Sequence, residues 1–229
     1  MRARLFGAQG MKSDRLVYLS TNYERFMPSL SEGEERFDVA INDFREAPAT
    51  AGFTCALQLS RPGLKFKGIR ENMEALLAKP YAYYAFLDDD LEISSKEINC
   101  LFELGHLLKL DLWQPAHATS SHNVHHVLWS VEGSFVRRSD FVEVMCPFFS
   151  RRALEAVSPY FYLSESGWGL DYLWPKILHA HNIAVVDAVL VNHTKPSSSY
   201  AHRSSTGLSP GDELQAVNDF MTTLPDSGH

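Results

Sequence analysis

The sequence predicts a single α/β domain built on a mixed, mostly parallel sheet flanked by helices. Three observations carry that expectation. Apolar runs of strand length, Arg15-Leu16-Val17-Tyr18-Leu19-Ser20 and Tyr81 to Leu87, flank a stretch from Ile69 to Lys79 with helical spacing. Helix and second strand follow one another in the β-turn-α-β order of a nucleotide-binding half. The chain has 229 residues and is 45% hydrophobic, enough for one substantial core. Residues 1–14 are expected to be a flexible extension, 15–196 the domain and 197–229 a mobile tail or lid. The apolar pattern begins only after Met11, an alternative start.

Composition excludes several classes of function. A formal net charge of −7 argues against a nucleic-acid partner, which normally needs a basic face. Cys55, Cys100 and Cys146 are odd in number and widely spaced, as expected of reduced thiols and of neither a zinc pattern nor a disulfide framework. No apolar run reaches membrane-spanning length, and Met1 to Gly10 lacks a signal-peptide core. A soluble, cytoplasmic protein is expected.

In chain order, the first strand ends in Ser20, Thr21 and Asn22, a polar loop suited to cover a ligand or to make an ordinary turn. Asp38 to Ile41 reads as a second strand ending at Asn42-Asp43, and Phe53 to Leu59 as a third strand or a helix. Arg61-Pro62-Gly63 marks a turn before Lys65 and Lys67. Two lysines near a helix start suit a diphosphate, or are simply solvated. The strand Tyr81 to Leu87 then runs into Asp88-Asp89-Asp90. Strand ends of this kind open on the ligand crevice of α/β sheets, and adjacent carboxylates repel unless a divalent cation or water relieves them. The triplet is therefore either a cation anchor or a solvated acidic turn.

Ser94 or Ser95 caps a helix from Lys96 to Leu110. Asp111 to Ala116 opens a polar stretch holding His117, His122, His125 and His126, a substrate-facing or solvated loop in preference to a zinc site. Val127 to Val136 suggests a strand or hairpin around Gly133, and Phe141 to Phe149 a buried strand stopped near Pro147. Ser150 caps a short helix to Val157. In Gly167-Trp168-Gly169-Leu170-Asp171 the glycines allow a tight loop presenting the indole, with a core position as the alternative for Trp168. Leu170, Leu173, Trp174 and Ile177 place Asp171 in a first helical turn, where the helix dipole favours its charge and where capping acids are also common. Ile183 to Val191 supplies two short strands or one bent one, ending at His193. Beyond Lys195 the chain is polar, with at most one short helix from Asp212 to Met221.

Taken together, Asp88-Asp89-Asp90, Gly167-Trp168-Gly169-Leu170-Asp171 and a terminal His193 resemble the GT-A (Rossmann-like) class of metal-dependent glycosyltransferases. More narrowly they resemble a poorly characterised bacterial and plant family with an Asp-acid-Asp triplet, a Gln-Pro-Ala segment, a Val-Glu-Val-Met-x-Pro-x-Phe strand and a Trp-Gly-x-Asp loop. The resemblance spans Arg15 to Pro196. It implies a nucleotide-diphosphate-sugar donor and an acceptor hydroxyl. It implies a Mn2+ or Mg2+ ion on Asp90 and His193, with Asp88 at the ribose or on the metal through water. Thr21, Asn22, Asp43 and Asp89 would hold the rest of the donor, with Lys65 and Lys67 at its phosphates. Asp171 would be the base, with Trp168 and Gln114 towards the acceptor. Many inverting members carry a second acid where this chain has Leu170, which leaves the stereochemical outcome open. Two other classes keep the same acids: another metal-dependent nucleotide enzyme such as a nucleotidyltransferase, and a non-catalytic sugar- or nucleotide-binding module.

Overall fold

The computed structural model describes residues 13–21, 34–45, 55–122, 125–179, 182–195 and 203–225. Nine strands form one sheet among these residues, in the order β3-β2-β1-β4-β8-β6-β9-β5, with β7 beside β9. The N-terminal half supplies β1 (Arg15–Thr21), β2 (Asp38–Asp43), β3 (Leu57–Ser60), α1 (Lys65–Leu77) and β4 (Tyr83–Asp88). β1 pairs in parallel with both β2 and β4, so a βαβ half stands where the sequence places it. Period-two alternation explains why. Leu16, Tyr18, Tyr84 and Phe86 join the core on one face, and Val17, Leu19, Ala85 and Leu87 the core on the other.

α1 begins at Lys65, four residues before the start expected from spacing. Gly63, at φ +109°, turns the chain directly into the helix, and Phe66 and Ile69 are both fully buried. Gly68 packs closely, since a Cβ there would lie 3.0 Å from the Asn42 side-chain amide and 3.1 Å from the Tyr18 hydroxyl. After β4 come β5 (Leu91–Glu92) and α2 (Ser95–Leu107), whose start is fixed by a capping box between Ser94 and Glu97. β6 (Leu112–His117) is wholly buried in the middle of the sheet, where the sequence suggests the start of a polar stretch. Pro115 is tolerated there because the register with β9 (Ile183–His193) slips at that point, from Pro115 opposite Val186 to Ala116 opposite Leu190. β9 is thus one bent strand.

Two expected strands are not formed as such. Val127 to Val136 holds a 3-10 turn at His126–Leu128 instead of a hairpin, because Arg137 takes the Val127 and Trp129 carbonyls and Asp187 takes the Val131 N–H. β7 is only Arg137–Arg138. Of Phe141 to Phe149 only the end joins β8 (Phe148–Ser150), so Pro147 precedes that strand and does not stop it. The stretch before it still runs along β4, where the Pro147 and Met145 carbonyls accept from the Phe86 and Asp88 N–H groups. β8 is antiparallel to both neighbours, which leaves β4 and β6 parallel to each other and the sheet mixed but mostly parallel.

α3 (Arg151–Val157) is capped by Ser150, and α4 (Leu170–Ile177) starts from Gly169. α5 (Pro210–Thr223) lies in the segment expected as tail or lid, with Val217 fully buried. The three cysteines are unpaired, and among the described residues no helix is long and apolar enough to cross a membrane.

Candidate functional site

The parallel strands deliver their polar ends to one edge. Ser20 is level with Asp88 and Asn42, and Thr21 with Asp43. Thr21 and Asp43 are both buried, and Asp43 is gripped bidentately by Arg45 at 2.9 and 2.6 Å. Asn22, expected beside them, lies outside the described residues.

Lys65 does not stand at the surface for phosphates. Its Nζ donates to the carbonyls of Phe86, Val144 and Met145 at 2.8–3.1 Å and pairs with Asp88 Oδ1 at 2.7 Å. The ammonium therefore pins the acidic strand end to the 144–145 backbone. Burial pushes the Asp88 carboxyl up, and Lys65 counters that. Lys67 turns to the Pro62 carbonyl at 3.2 Å and Glu71 at 2.8 Å, within its own helix and turn.

Asp90 meets His193 because β5 folds back on β9 with Leu91 opposite His193, and Thr194 binds the Asp90 carbonyl through both N–H and hydroxyl. Asp90 Oδ2 is 3.3 Å from His193 Nε2. His193 Nδ1 is 3.0 Å from the His122 carbonyl, so Nδ1 carries a proton and Nε2 is the nitrogen turned to Asp90. Burial disfavours imidazolium, yet the Asp90 carboxylate and the His122 carbonyl together push His193 up to about 9. A carboxylate oxygen and an imidazole nitrogen are a donor pair suited to a divalent cation, Mn2+ more than Mg2+. Among the described residues no three His, Cys, Asp or Glu side chains form a metal cage.

The other side of the site is built from carboxyls in poor solvation. Asp171, in the first turn of α4, is buried, and that burial pushes it up to about 7 against the bonds it accepts from backbone N–H groups, including Tyr172 at 3.1 Å. The helix dipole was expected to keep it charged. Desolvation outweighs the dipole of this eight-residue helix.

Glu143 was not singled out in the sequence, although it is the one charge in Phe141-Val142-Glu143-Val144-Met145. Its N–H donates to Gln114 Oε1 at 2.5 Å, and its carboxyl faces His117 Nε2 at 3.5 Å and His125 Nε2 at 4.0 Å. Burial and then the Asp171 charge push it up to about 8. His117 is pushed down to about 4, first by burial and then by the charges of His193 and His125. The pair is accordingly neutral at pH 7, an acid beside an imidazole. The histidine-rich stretch thus folds back onto the site. Gln114, expected towards an acceptor, is fully buried beneath Glu143 and holds its backbone.

Trp168 is half-buried between Gly167 (φ +93°) and Gly169 (φ +91°). A Cβ at Gly167 would lie 2.7 Å from the Phe66 ring and one at Gly169 2.8 Å from Val217, so the loop is held from both sides. Beside Asp171, the exposed Tyr172 ring packs on Phe141 at 5.2 Å, and Phe141 on His125 at 4.6 Å. These rings form an aromatic wall next to the carboxyls.

No family model matches the sequence, and no curated protein matches it. Solved structures do match. Residues 1–349 of TarS from S. aureus align over 90% of this chain and 70% of that one, at 12% identity and a TM-score of 0.55. The same TarS segment in complex with UDP-GlcNAc aligns over 90% and 71%, at 13% identity and a TM-score of 0.56. A197 from STIV aligns over 79% and 85% at 15% identity, but at a TM-score of 0.44 it carries no argument. The fold is GT-A-like. At these identities the likeness extends to the fold alone.

Proposed function

We propose that the chain is a glycosyltransferase that moves a sugar from a nucleotide-diphosphate-sugar donor to an acceptor hydroxyl, with a divalent cation, Mn2+ or Mg2+. One observation carries the reading: the carboxyl edge of a GT-A-like sheet joins Asp88, Asp90 and His193 on one side to the buried carboxyls Asp171 and Glu143 on the other. The first group suits a diphosphate and its counter-ion, the second a proton transfer. The TarS complex supports UDP-GlcNAc as the donor to try first.

In this reading Thr21 and Asp43 lie against the base and ribose, and Asp88, its charge anchored by Lys65, accepts from a ribose hydroxyl. Asp89 completes the turn at the donor. Asp90 Oδ2 and His193 Nε2 would hold the cation, which would supply positive charge where the diphosphate departs. Asp171 takes the proton of the acceptor hydroxyl as that oxygen bonds to the anomeric carbon and the bond from that carbon to the diphosphate oxygen breaks. A carboxyl near 7 is ionised in about half of the molecules at neutral pH and holds the proton well once taken. Trp168 and the Tyr172–Phe141 wall orient the acceptor and exclude water.

The experiment is product identification after incubation with UDP-GlcNAc and Mn2+, then with the other nucleoside-diphosphate sugars. Release or transfer of the sugar with formation of the nucleoside diphosphate supports the reading. Release of sugar 1-phosphate from the donor, or of pyrophosphate when a nucleoside triphosphate and a sugar 1-phosphate are supplied instead, would make the chain a nucleotidyltransferase. Metal-dependent binding without turnover of any donor would make it a binding module.

A further inference from the structure

The loop that carries Trp168 and Asp171 does not hold its own shape. Two carboxylates interlock it with the C-terminal segment. Glu213 of α5 is 2% exposed, and its carboxylate accepts from the N–H groups of Glu165 and Ser166, both at 3.0 Å. It also accepts from the hydroxyls of Ser164 at 3.2 Å and Ser166 at 2.5 Å. In return the Glu165 carboxylate accepts from the Ser205 N–H at 2.7 Å and its hydroxyl at 2.6 Å. The freed groups are relayed onward. Ser164 Oγ accepts from the Gly167 N–H at 3.0 Å and Ser166 Oγ from the Trp168 N–H at 3.3 Å, so the Glu213 contacts pass directly to the two residues that open the Trp-Gly-Leu-Asp turn. At the far end of that turn Val217, one helical turn on from Glu213, closes on Gly169. On the opposite side the Glu165 carbonyl accepts from the Phe66 N–H at 3.1 Å, and its carboxylate lies 3.6 Å from Arg70, fastening the loop to α1.

A carboxylate that accepts four hydrogen bonds while almost fully buried has little use for stability alone, since a well-packed apolar residue would serve as well. What it supplies is a fixed register between α5 and the loop, because four donors converging on two oxygens admit one arrangement. We infer that Glu213 is a positioning residue: through Ser164 and Ser166 it sets Trp168 and Asp171, so the C-terminal helix is part of the acceptor side of the site and not an appendage. This rests on the proposed role of Asp171, and the test separates the two.

The test compares Glu213→Gln and the milder Ser166→Ala with the unmutated full chain. The glutamine keeps the volume but sets an NH2 against either the Ser166 or the Glu165 N–H donor, since these approach different Glu213 oxygens. Three readouts are taken: amide hydrogen exchange, the titration of the Asp171 carboxyl by 13C NMR, and the Mn2+-dependent affinity for UDP by calorimetry. Around Asp171 its burial and the backbone N–H groups of Tyr172 and Gly169 set its titration, the Glu143 carboxyl and Tyr172 hydroxyl are the titratable groups coupled to it, and neither substitution removes any of them. Exchange of the Gly167 to Asp171 amides should rise tenfold or more while β1 and β4 amides stay protected. The Asp171 midpoint should fall by a unit or more as water reaches it, and Mn2+-dependent UDP affinity should stay within twofold. Unchanged exchange and an unchanged Asp171 midpoint in a folded Glu213→Gln protein would overturn the inference. If that variant does not fold, the same two readouts on Ser166→Ala decide it. Asp171→Asn that retains turnover would remove the base assignment alone, leaving the exchange result to stand on its own.

Discussion

Asp90 and His193 come from opposite halves of the chain, yet the antiparallel pairing of Leu91 with His193 sets Asp90 Oδ2 3.3 Å from His193 Nε2. The imidazole is oriented by its second nitrogen on the His122 carbonyl. Without a cation the two groups form an ion pair. With one, both lone pairs are available to it, and the proton on Nε2 must leave.

Metal-linked donor binding is the first consequence. UDP should bind at least tenfold more tightly with Mn2+ than with chelator, because an uncompensated diphosphate is repelled by Asp88 and Asp90. Asp90→Asn and His193→Ala should each reduce that difference to less than about threefold, while both remain folded. Calorimetry with and without Mn2+ measures it. Equal affinity under the two conditions in the unmutated protein would rule out the cation.

Lys65 makes a separate prediction on stability. Truncating one partner of a buried ion pair costs about 3–5 kcal/mol, and the 32% exposure of the Asp88 side chain lowers that here. Lys65→Met should therefore destabilise the fold by about 2–3 kcal/mol. Asp88→Asn should cost less in the Lys65→Met background than alone, because the charge Lys65 offsets is then gone. Strictly additive losses in urea titrations of the four proteins would show that the ammonium acts only through the three carbonyls.

Where the candidate-site residues would lie was largely legible in the sequence, for physical reasons that also mark where legibility ended. Asp88 to Asp90 and His193 end apolar strands, and a strand's end in an α/β sheet has one place to go. Asp171 was fixed by the 3.6-residue spacing of Leu170, Leu173, Trp174 and Ile177. Glu143 was missed because its segment is irregular and is held by tertiary bonds from Gln114 and Lys65, which leave no periodicity. The contacts of Lys65 were not legible for a related reason: a sequence shows that a lysine opens a helix but not that three carbonyls lie within its reach. The slip in register at Pro115 depends on three extra residues in β9, more than seventy positions away in the chain. Glu213, in a segment whose polarity suggested a tail, is buried through its bonds to the loop before Trp168.

Glu143 should give stability an unusual pH dependence. Its folded-state value of about 8 lies above the ordinary 4.5, so between these values the folded chain holds a proton that the unfolded chain has released. Folding is then favoured at low pH and loses free energy as pH rises through this window, levelling off above 8. Glu143→Gln cannot ionise and lacks this loss. Its stability relative to the unmutated protein should grow between pH 5 and pH 8 by at least about 1.4 kcal/mol, the equivalent of one pK unit. Thermal melts across that range check it. A constant difference would mean that the Glu143 carboxyl is better solvated than its surroundings indicate.

Asp171 carries the chemical step in the proposed reaction. Acting on the acceptor and not on the donor, it should leave UDP affinity nearly unchanged when replaced by asparagine, while transfer falls by roughly 10²-fold or more. The rate should also depend on its ionisation. With the carboxyl pushed up to about 7 by burial, transfer should rise with pH through that value and flatten above it, the ionised form being the base. A capping acid predicts something different. Asp171→Asn would then lower the melting temperature, because its oxygen accepts from the Tyr172 N–H at 3.1 Å, and would leave the rate per folded molecule intact. That second result would move the base to Glu143, the other buried carboxyl at the site.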